Sequence, residues 1–428
     1  MYRRAVDYVR RVADEELDEL MLGAPAIAIE GPMAVGKTAT ATARARTVIR
    51  LDDSGERAIA AADPRRLTAG EPPVLIDEWQ RLPESWDIVR RSVDEDRTPG
   101  RYLLTGSATP ADGPTHSGAG RIVTVRLRPM TLPERRLATP TVSLGALLRR
   151  DSTAVDGKTP IGLETYVEEI LASGFPGLRS LPGRVVRAEL DGYLIRIAER
   201  DFPMMGRPVR NPSALRRWMT AYAAATATTA TFATIRDAAA GGDGEKPSRT
   251  TVTPYHDILT RLWVVEPLPA WFPGRNVLRR LSGPPKHHLA DPALAARLLN
   301  VGAGALLSGR EVGPAVARES TLLGALFESL VCLSVRVFAQ AAEARVSHFR
   351  TKGGEREVDL IVEGADQRVL ALEVKLGRVV ADEDTRHLRW LKAQLGDDLV
   401  DMVVVNTGEI AYRRPDGVAV VPLALLGP

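Results

Sequence analysis

The stretch Gly31-Pro-Met-Ala-Val-Gly36-Lys37-Thr38 limits the fold more than any other part of the chain, because it satisfies the spacing GxxxxGK[ST]. It follows an apolar run, Ala26–Glu30, and precedes a run of helix formers, Ala39–Arg46. Strand, glycine-bearing turn and helix in that order bring inward-pointing backbone N–H groups and a helix N-terminus to one point, which suits phosphate oxygens. Gly36 gives the backbone freedom where the phosphates approach. On this reading Gly31, Pro32, Met33, Ala34, Val35, Gly36, Lys37, Thr38 and Ala39 line a site for ATP with Mg²⁺. Lys37 reaches the β and γ phosphates, and the Thr38 hydroxyl ligates the metal. Such a start demands more parallel strands, and Thr47–Leu51, Val74–Asp77, Tyr102–Thr105 and Arg121–Leu127 supply apolar or alternating runs for them.

One of these strands ends in chemistry. Val74-Leu-Ile-Asp77-Glu78 is an apolar strand that stops in two carboxylates, a costly arrangement to bury unless something uses them. Asp77 is expected to hold Mg²⁺ through water and Glu78 to polarise the attacking water, so the pair favours hydrolysis over passive binding. Leu103-Leu-Thr105-Gly-Ser107 ends in small hydroxyl residues, which places Thr105 and Ser107 near the γ-phosphate or the water. Arg121, after Ser117-Gly-Ala-Gly120, is a candidate charge-stabilising finger, in cis or from a neighbouring subunit of a homo-oligomer. Arg97 and Arg101 are weaker candidates.

The rest of the chain divides by pattern. Residues 1–130 read as the α/β domain just described. Residues 131–207 read as helical, with Leu163–Leu171 and Arg187–Arg200 separated by Gly174-Phe-Pro-Gly177. In residues 208–310, Gly241–Pro247 is a polar connector. Thr253–Arg261 fits the second helix of a helix-turn-helix, with a strand at Trp263–Pro267 and a wing over Trp263–Trp271. Residues 311–428 form a second α/β unit: a helix over Thr321–Ala339, strands at Arg345–Arg350, Glu357–Glu363 and Val369–Val374, a helix over Asp384–Leu395 and a strand at Met402–Asn406.

Strand alternation puts Asp359 on the face of Glu357, and Glu373 on the face of Lys375. Pairing through the Glu363–Arg368 turn sets Asp359 beside Glu373. The two carboxylates can then hold a second divalent metal, with Glu328 completing its shell and Lys375 orienting or activating water. That is the plan of metal-dependent phosphodiester cleavage, and it implies a nucleic-acid partner. The same residues on a solvated hairpin are also a common surface arrangement. Arg350, Lys352, Arg356, Arg378, His387 and Arg389 either line a phosphate path or are solvated surface.

The 57 basic and 54 acidic residues leave a net charge of +3, which permits an acidic partner without arguing for one. Cys332 is the single cysteine, so no intrachain disulfide forms. Met1–Leu20 is charged and amphipathic and reads as a helix from Tyr2 rather than a secretory leader. Leu330–Ala339 is too short to span a bilayer and carries Arg336. A cytoplasmic protein is expected.

Taken together, the motifs resemble a widespread prokaryotic family of AAA-superfamily ATPases with a restriction-endonuclease-like, PD-(D/E)xK-type, C-terminal domain. The resemblance covers most of the chain. It rests on the Gly31–Thr38 loop, Leu75-Ile-Asp77-Glu78-Trp-Gln80, Leu103–Ser107, Gly120-Arg121 and Arg128-Pro-Met-Thr-Leu-Pro-Glu134. It continues through Gly174-Phe-Pro176, Glu199-Arg-Asp201, Pro285-Lys-His-His-Leu-Ala-Asp291, Phe349-Arg-Thr, Glu357-Val-Asp359 and Glu373-Val-Lys375. It implies an ATPase core, a helical lid, a winged-helix-like region and a nuclease fold. Lys37, Thr38, Asp77 and Glu78 match the ATPase motifs; Glu328, Asp359, Glu373 and Lys375 match the nuclease-like motif. DNA is favoured over RNA as the partner. Two departures stand out: Met33 or Ala34 stands where the family often carries a basic residue, and Trp79 follows the acid pair where a smaller aliphatic residue is usual.

Overall fold

The computed structural model describes residues 8–107, 117–151, 154–209, 211–240, 249–273, 283–309 and 321–428. The Gly241–Pro247 connector, most of the loop after Ser107 and the expected helix start at Tyr2 lie outside these residues.

The first sheet contains β1 (Ala26–Glu30), β2 (Thr47–Arg50), β3 (Val74–Asp77), β4 (Tyr102–Gly106) and β5 (Ile122–Arg126). Its order is β2-β3-β4-β1-β5, and every pairing is parallel. Strands β3 and β4 are buried along their whole length, which is why their sequences are almost wholly apolar. In a parallel sheet all C-terminal ends share one edge, where ligands bind in doubly wound folds. Gly31, Glu78 and Ser107 each follow the C-terminal end of a strand, so the three sequence motifs converge on that edge.

The first described helix is Ala13–Leu20, later than Tyr2. Arg11 is instead drawn inward. Its guanidinium donates to Glu134 Oε1 at 2.9 Å, to the Val35 carbonyl at 3.1 Å and to the Arg128 carbonyl at 2.6 Å. The Arg128–Glu134 motif thereby pins the N-terminal segment against the phosphate loop.

The second sheet contains β7 (Arg345–Arg350), β8 (Glu357–Glu363), β9 (Val369–Val374), β10 (Leu399–Asn406), β11 (Tyr412–Arg413) and β12 (Ala419–Pro422), in the order β11-β12-β10-β9-β8-β7. Strand β8 pairs antiparallel with both β7 and β9, whereas β10 pairs in parallel with both β9 and β12. The helix Leu322–Ala341 packs against it; by length and composition it is apolar enough to cross a membrane, but 89% of its most apolar window is buried inside the protein. The closing strand β13 (Leu426–Gly427) pairs in parallel with β6 (Val142–Ser143), far back in the chain. One buried hydrophobic cluster runs from Ala13 to Leu426 and takes residues from all four sequence regions.

Between the sheets lie the helices Leu163–Ala172, Gly183–Arg196, Pro212–Ala224, Phe232–Ala240 and Arg249–Arg261. The expected strand at Trp263–Pro267 is not a regular ladder. Val265, Leu268 and Ala270 make isolated bridges to Leu289, Lys286 and His348. Trp263 itself takes a left-handed φ of 60° just past the helix end, which breaks the extended backbone where the strand was expected to begin.

Candidate functional sites at the phosphate loop and in the C-terminal sheet

The helix Lys37–Thr42 starts from Gly36 at φ 104°, a conformation that favours glycine. Gly31 is held by crowding: a Cβ there would lie 2.2 Å from the Leu127 carbonyl oxygen. Lys37 is buried, and its ammonium donates to the Gly31 and Pro32 carbonyls, both at 2.9 Å. Burial pushes that ammonium down to about 8, against the opposing pull of Glu78. Thr38 Oγ1 donates to Asp77 Oδ1 at 2.8 Å, and Thr105 Oγ1 donates to the same oxygen. The Glu78 N–H donates to Thr105 Oγ1 at 3.3 Å, and Gln80 Nε2 donates to Glu78 Oε2 at 2.6 Å.

Glu78 sits at φ 57°, left-handed for a residue with a side chain. That conformation costs about 1–3 kcal/mol and persists only where neighbours fix it; Thr105 and Gln80 do so here. Burial raises the Glu78 carboxyl, opposed by Lys37. Thr38, Asp77, Glu78 and Thr105 are therefore together, as expected. Ser107 is buried immediately beyond β4. Pro32, Met33, Ala34 and Val35 complete the loop, with Ala34 at φ 64° and exposed, and Ala39 exposed on the first helical turn.

Arg121 is not brought to this site within the chain. It precedes β5, at the N-terminal edge of the sheet, whereas the phosphate loop follows the C-terminal end of β1; Ala26 pairs with Ile122 in the register. Five residues of strand separate the two edges, about 17 Å. Arg121 is instead paired with Asp94 at 2.8 Å. A finger acting in cis is thus excluded by geometry, because proximity to a glycine-rich loop says nothing about which sheet edge a residue occupies. Arg101 lies at the same N-terminal edge, preceding β4, and is paired with Asp96 at 2.7 Å.

Arg126, passed over in the sequence, is at the other end of the same strand, opposite Glu30 in the register. Its guanidinium lies 3.4 Å from the centre of the Trp263 ring, and its three guanidine nitrogens lack hydrogen bonds. Burial pushes it down to about 9. Its signal in the sequence was a lone basic residue ending an otherwise apolar strand.

The helical region covers the loop. A Cβ on Gly36 would sit 3.5 Å from Pro176. Asp291 accepts from Ser173 Oγ at 2.8 Å and from the Gly174 N–H at 2.7 Å, while capping the helix Pro292–Leu298. The Glu199-Arg-Asp201 motif forms a π-helical turn. Burial lifts Asp201 to about 6, and the charge of Glu78 adds to that rise.

In the second sheet, Asp359 and Glu373 are both buried on neighbouring strands. The Val374 N–H donates to Asp359 Oδ2 at 2.9 Å, and Lys375 donates to Glu373 Oε1 at 3.0 Å. Glu328 reaches the same place from the helix Leu322–Ala341. Burial lifts Glu328 and Glu373 to about 8, and the charge of Asp359 adds to both rises. These residues line a cavity of about 540 Å³ together with Arg350, Arg386 and His387.

One occupant was not foreseen. Lys286 projects into the cluster, 1% exposed, with its ammonium 2.9 Å from Glu328 Oε1, 2.8 Å from Glu357 Oε1 and 2.9 Å from Asp359 Oδ1. Two of the three carboxylates expected to surround a metal, Glu328 and Asp359, surround a lysine together with Glu357, while Glu373 pairs with Lys375, so the donor set does not fit a resident divalent ion alongside it. Among the described residues, no group of three or more His, Cys, Asp or Glu side chains is arranged to hold a metal.

Comparison with known proteins agrees with this layout at the N-terminal end. Residues 23–135 match the family model of an AAA domain, residues 163–304 a domain of unknown function (DUF8612), and residues 323–426 another (DUF4143). Uncharacterized proteins of Mycobacterium bovis and Mycobacterium tuberculosis are each 27% identical over 424 residues, covering 96% of this chain and 83% of theirs. A Walker-type ATPase of Pyrococcus abyssi superposes with a TM-score of 0.41 at 17% identity, over 69% of this chain and 97% of its own. With its all-parallel sheet and its motifs at one edge, the segment 23–135 has the layout of a P-loop nucleotide-binding domain and is similar to AAA domains.

Proposed function

We propose that the chain is a Mg²⁺-dependent ATPase. The observation that carries this is the convergence of the Thr38 and Thr105 hydroxyls on Asp77 Oδ1, beside Lys37 and Glu78, at the shared C-terminal edge of the parallel strands. Hard oxygen donors 2.8 Å apart fit Mg²⁺, and Thr38 and Asp77 would hold it. When bound, the ion would neutralise phosphate charge. Lys37 supplies a positive charge to the β and γ phosphates, and the loop N–H groups fix their position. Glu78, held by Gln80, takes up the proton of the attacking water. Thr105 fixes Asp77, and Ser107 faces the same edge. Arg121 serves only if a second copy of the chain presents it in trans.

Glu78→Gln should keep nucleotide binding and lower turnover by about 10²–10⁴-fold. Turnover unchanged in this variant would remove Glu78 from its role.

We further read the C-terminal sheet, on the buried Asp359 and Glu373 at its cavity, as a nuclease-like module directed at nucleic acid, DNA before RNA, coupled to the ATPase through a lid and a winged-helix-like region and working in the cytoplasm. Lys286 favours the form of this reading in which the module binds without cutting and ATP turnover works as a switch. DNA cut by the wild-type protein with Mg²⁺ or Mn²⁺, and left intact by Asp359→Ala, would count against it.

A further inference from the structure

Lysine carries three N–H donors, and the Lys286 ammonium meets three carboxylates, one each from Glu328, Glu357 and Asp359, at 2.8–2.9 Å. A buried ammonium is stable only when paired in this way. The ammonium also takes the one position that these three oxygens share. Mg²⁺ requires oxygens at about 2.0–2.1 Å, so the carboxylates would have to contract onto a position the ammonium now holds.

Lys286 is not loosely placed. Its backbone N–H donates to the Leu268 carbonyl at 2.9 Å and its carbonyl accepts from the Leu268 N–H at 2.8 Å. The residue arrives from the segment Pro285–Asp291, outside the second sheet. Glu373, which lines the same cavity, has its Oε2 buried without a hydrogen-bond partner.

We infer that Lys286 is a built-in cation of the C-terminal site, standing where a divalent metal would sit among Glu328, Glu357 and Asp359, and that withdrawing it converts this cluster, with Glu373 on the same cavity wall, into a metal site. The inference rests on reading these carboxylates as a nuclease-like metal-binding set. The wild-type site is therefore closed to divalent cations, and its occupancy depends on a side chain supplied by another part of the chain.

The test is Mn²⁺ binding to the full-length, nucleotide-free protein, with free Mn²⁺ counted by electron paramagnetic resonance. Wild type and Asp359→Asn should bind Mn²⁺ alike. Lys286→Met should gain one saturable site, and the double variant Lys286→Met with Asp359→Asn should lose it. The melting temperature of Lys286→Met should fall below wild type and recover with Mn²⁺, whereas that of wild type should not move. If Lys286→Met cannot be purified, Lys286→Gln, whose amide still donates to a carboxylate, carries the same comparison.

Wild-type Mn²⁺ binding that Asp359→Asn abolishes would overturn the role of Lys286 while leaving the metal-binding reading intact. A folded Lys286 variant that gains no site would overturn the metal-binding reading itself, and the inference with it.

Discussion

Lys37 shows how burial, acting against nearby carboxylates, sets the behaviour of a binding residue. Its ammonium is folded onto the carbonyls of its own loop and pushed down to about 8 by burial. A triphosphate favours the charged form, so binding is strongest below about 8 and weakens as the pH rises through that value. Nucleotide affinity should therefore fall on the alkaline side by up to roughly tenfold per pH unit, the limit for one linked proton. Lys37→Arg, which stays charged, should flatten the profile. Titration calorimetry with a non-hydrolysable ATP analogue measures both; a flat wild-type profile would mean that Lys37 is already fully charged. The identity of Lys37 was plain from the motif. Its perturbation was not, because it depends on residues such as Glu78 and Arg126 that reach it only through the fold.

At the scale of elements, a chain of contacts through Glu266 and Arg128 links the end of β5 to the long helix and the first helix. Glu266 accepts from Arg128 at 2.9 and 2.7 Å, and its backbone carbonyl accepts from Arg336 on the long helix at 2.9 Å. Arg128 also donates to Gln340, which in turn donates to Glu16 on the first helix. Burial alone would raise the Glu266 carboxyl; Arg128, Arg336 and Arg126 outweigh it and hold it well below the usual carboxylate range. Glu266→Gln leaves those guanidinium groups without their counter-charge and should cost about 3–5 kcal/mol at neutral pH. A depressed carboxylate stabilises above its unfolded value and loses that contribution only as the pH falls through the folded one. The stability gap, read by urea unfolding, should thus persist through mildly acidic pH. The helices that carry Glu16 and Arg336 were legible in the sequence, as Tyr2–Leu20 and Thr321–Ala339. Glu266 was not, because its partners Arg128 and Arg336 lie 138 and 70 positions away.

For the whole molecule, sequence pattern recovered both α/β units, but the way they interlock came only from the fold. The pairing of β13 with β6 and the common hydrophobic cluster depend on contacts that no local periodicity records. Lys286 was visible within Pro285–Asp291, yet nothing local tells a lysine that fills a carboxylate cluster from one on the surface. The two ends of that segment now acquire a joint meaning. At one end, Asp291 grips Ser173 and Gly174, two positions from the proline that covers Gly36. At the other, Lys286 fills the carboxylates. Five residues can span at most about 18 Å, so displacement at either end has little slack to absorb it. Thermodynamic reciprocity then links the two ends. If nucleotide shifts the strap, a change at the carboxylates must shift nucleotide affinity by the same factor, roughly 5- to 150-fold in typical coupled proteins. Hydrogen exchange at the Lys286 amide should respond to a non-hydrolysable ATP analogue, and Lys286→Met should alter the nucleotide Kd. If neither changes, the strap is a fixed brace, and the lysine keeps its carboxylates whatever the phosphate loop holds.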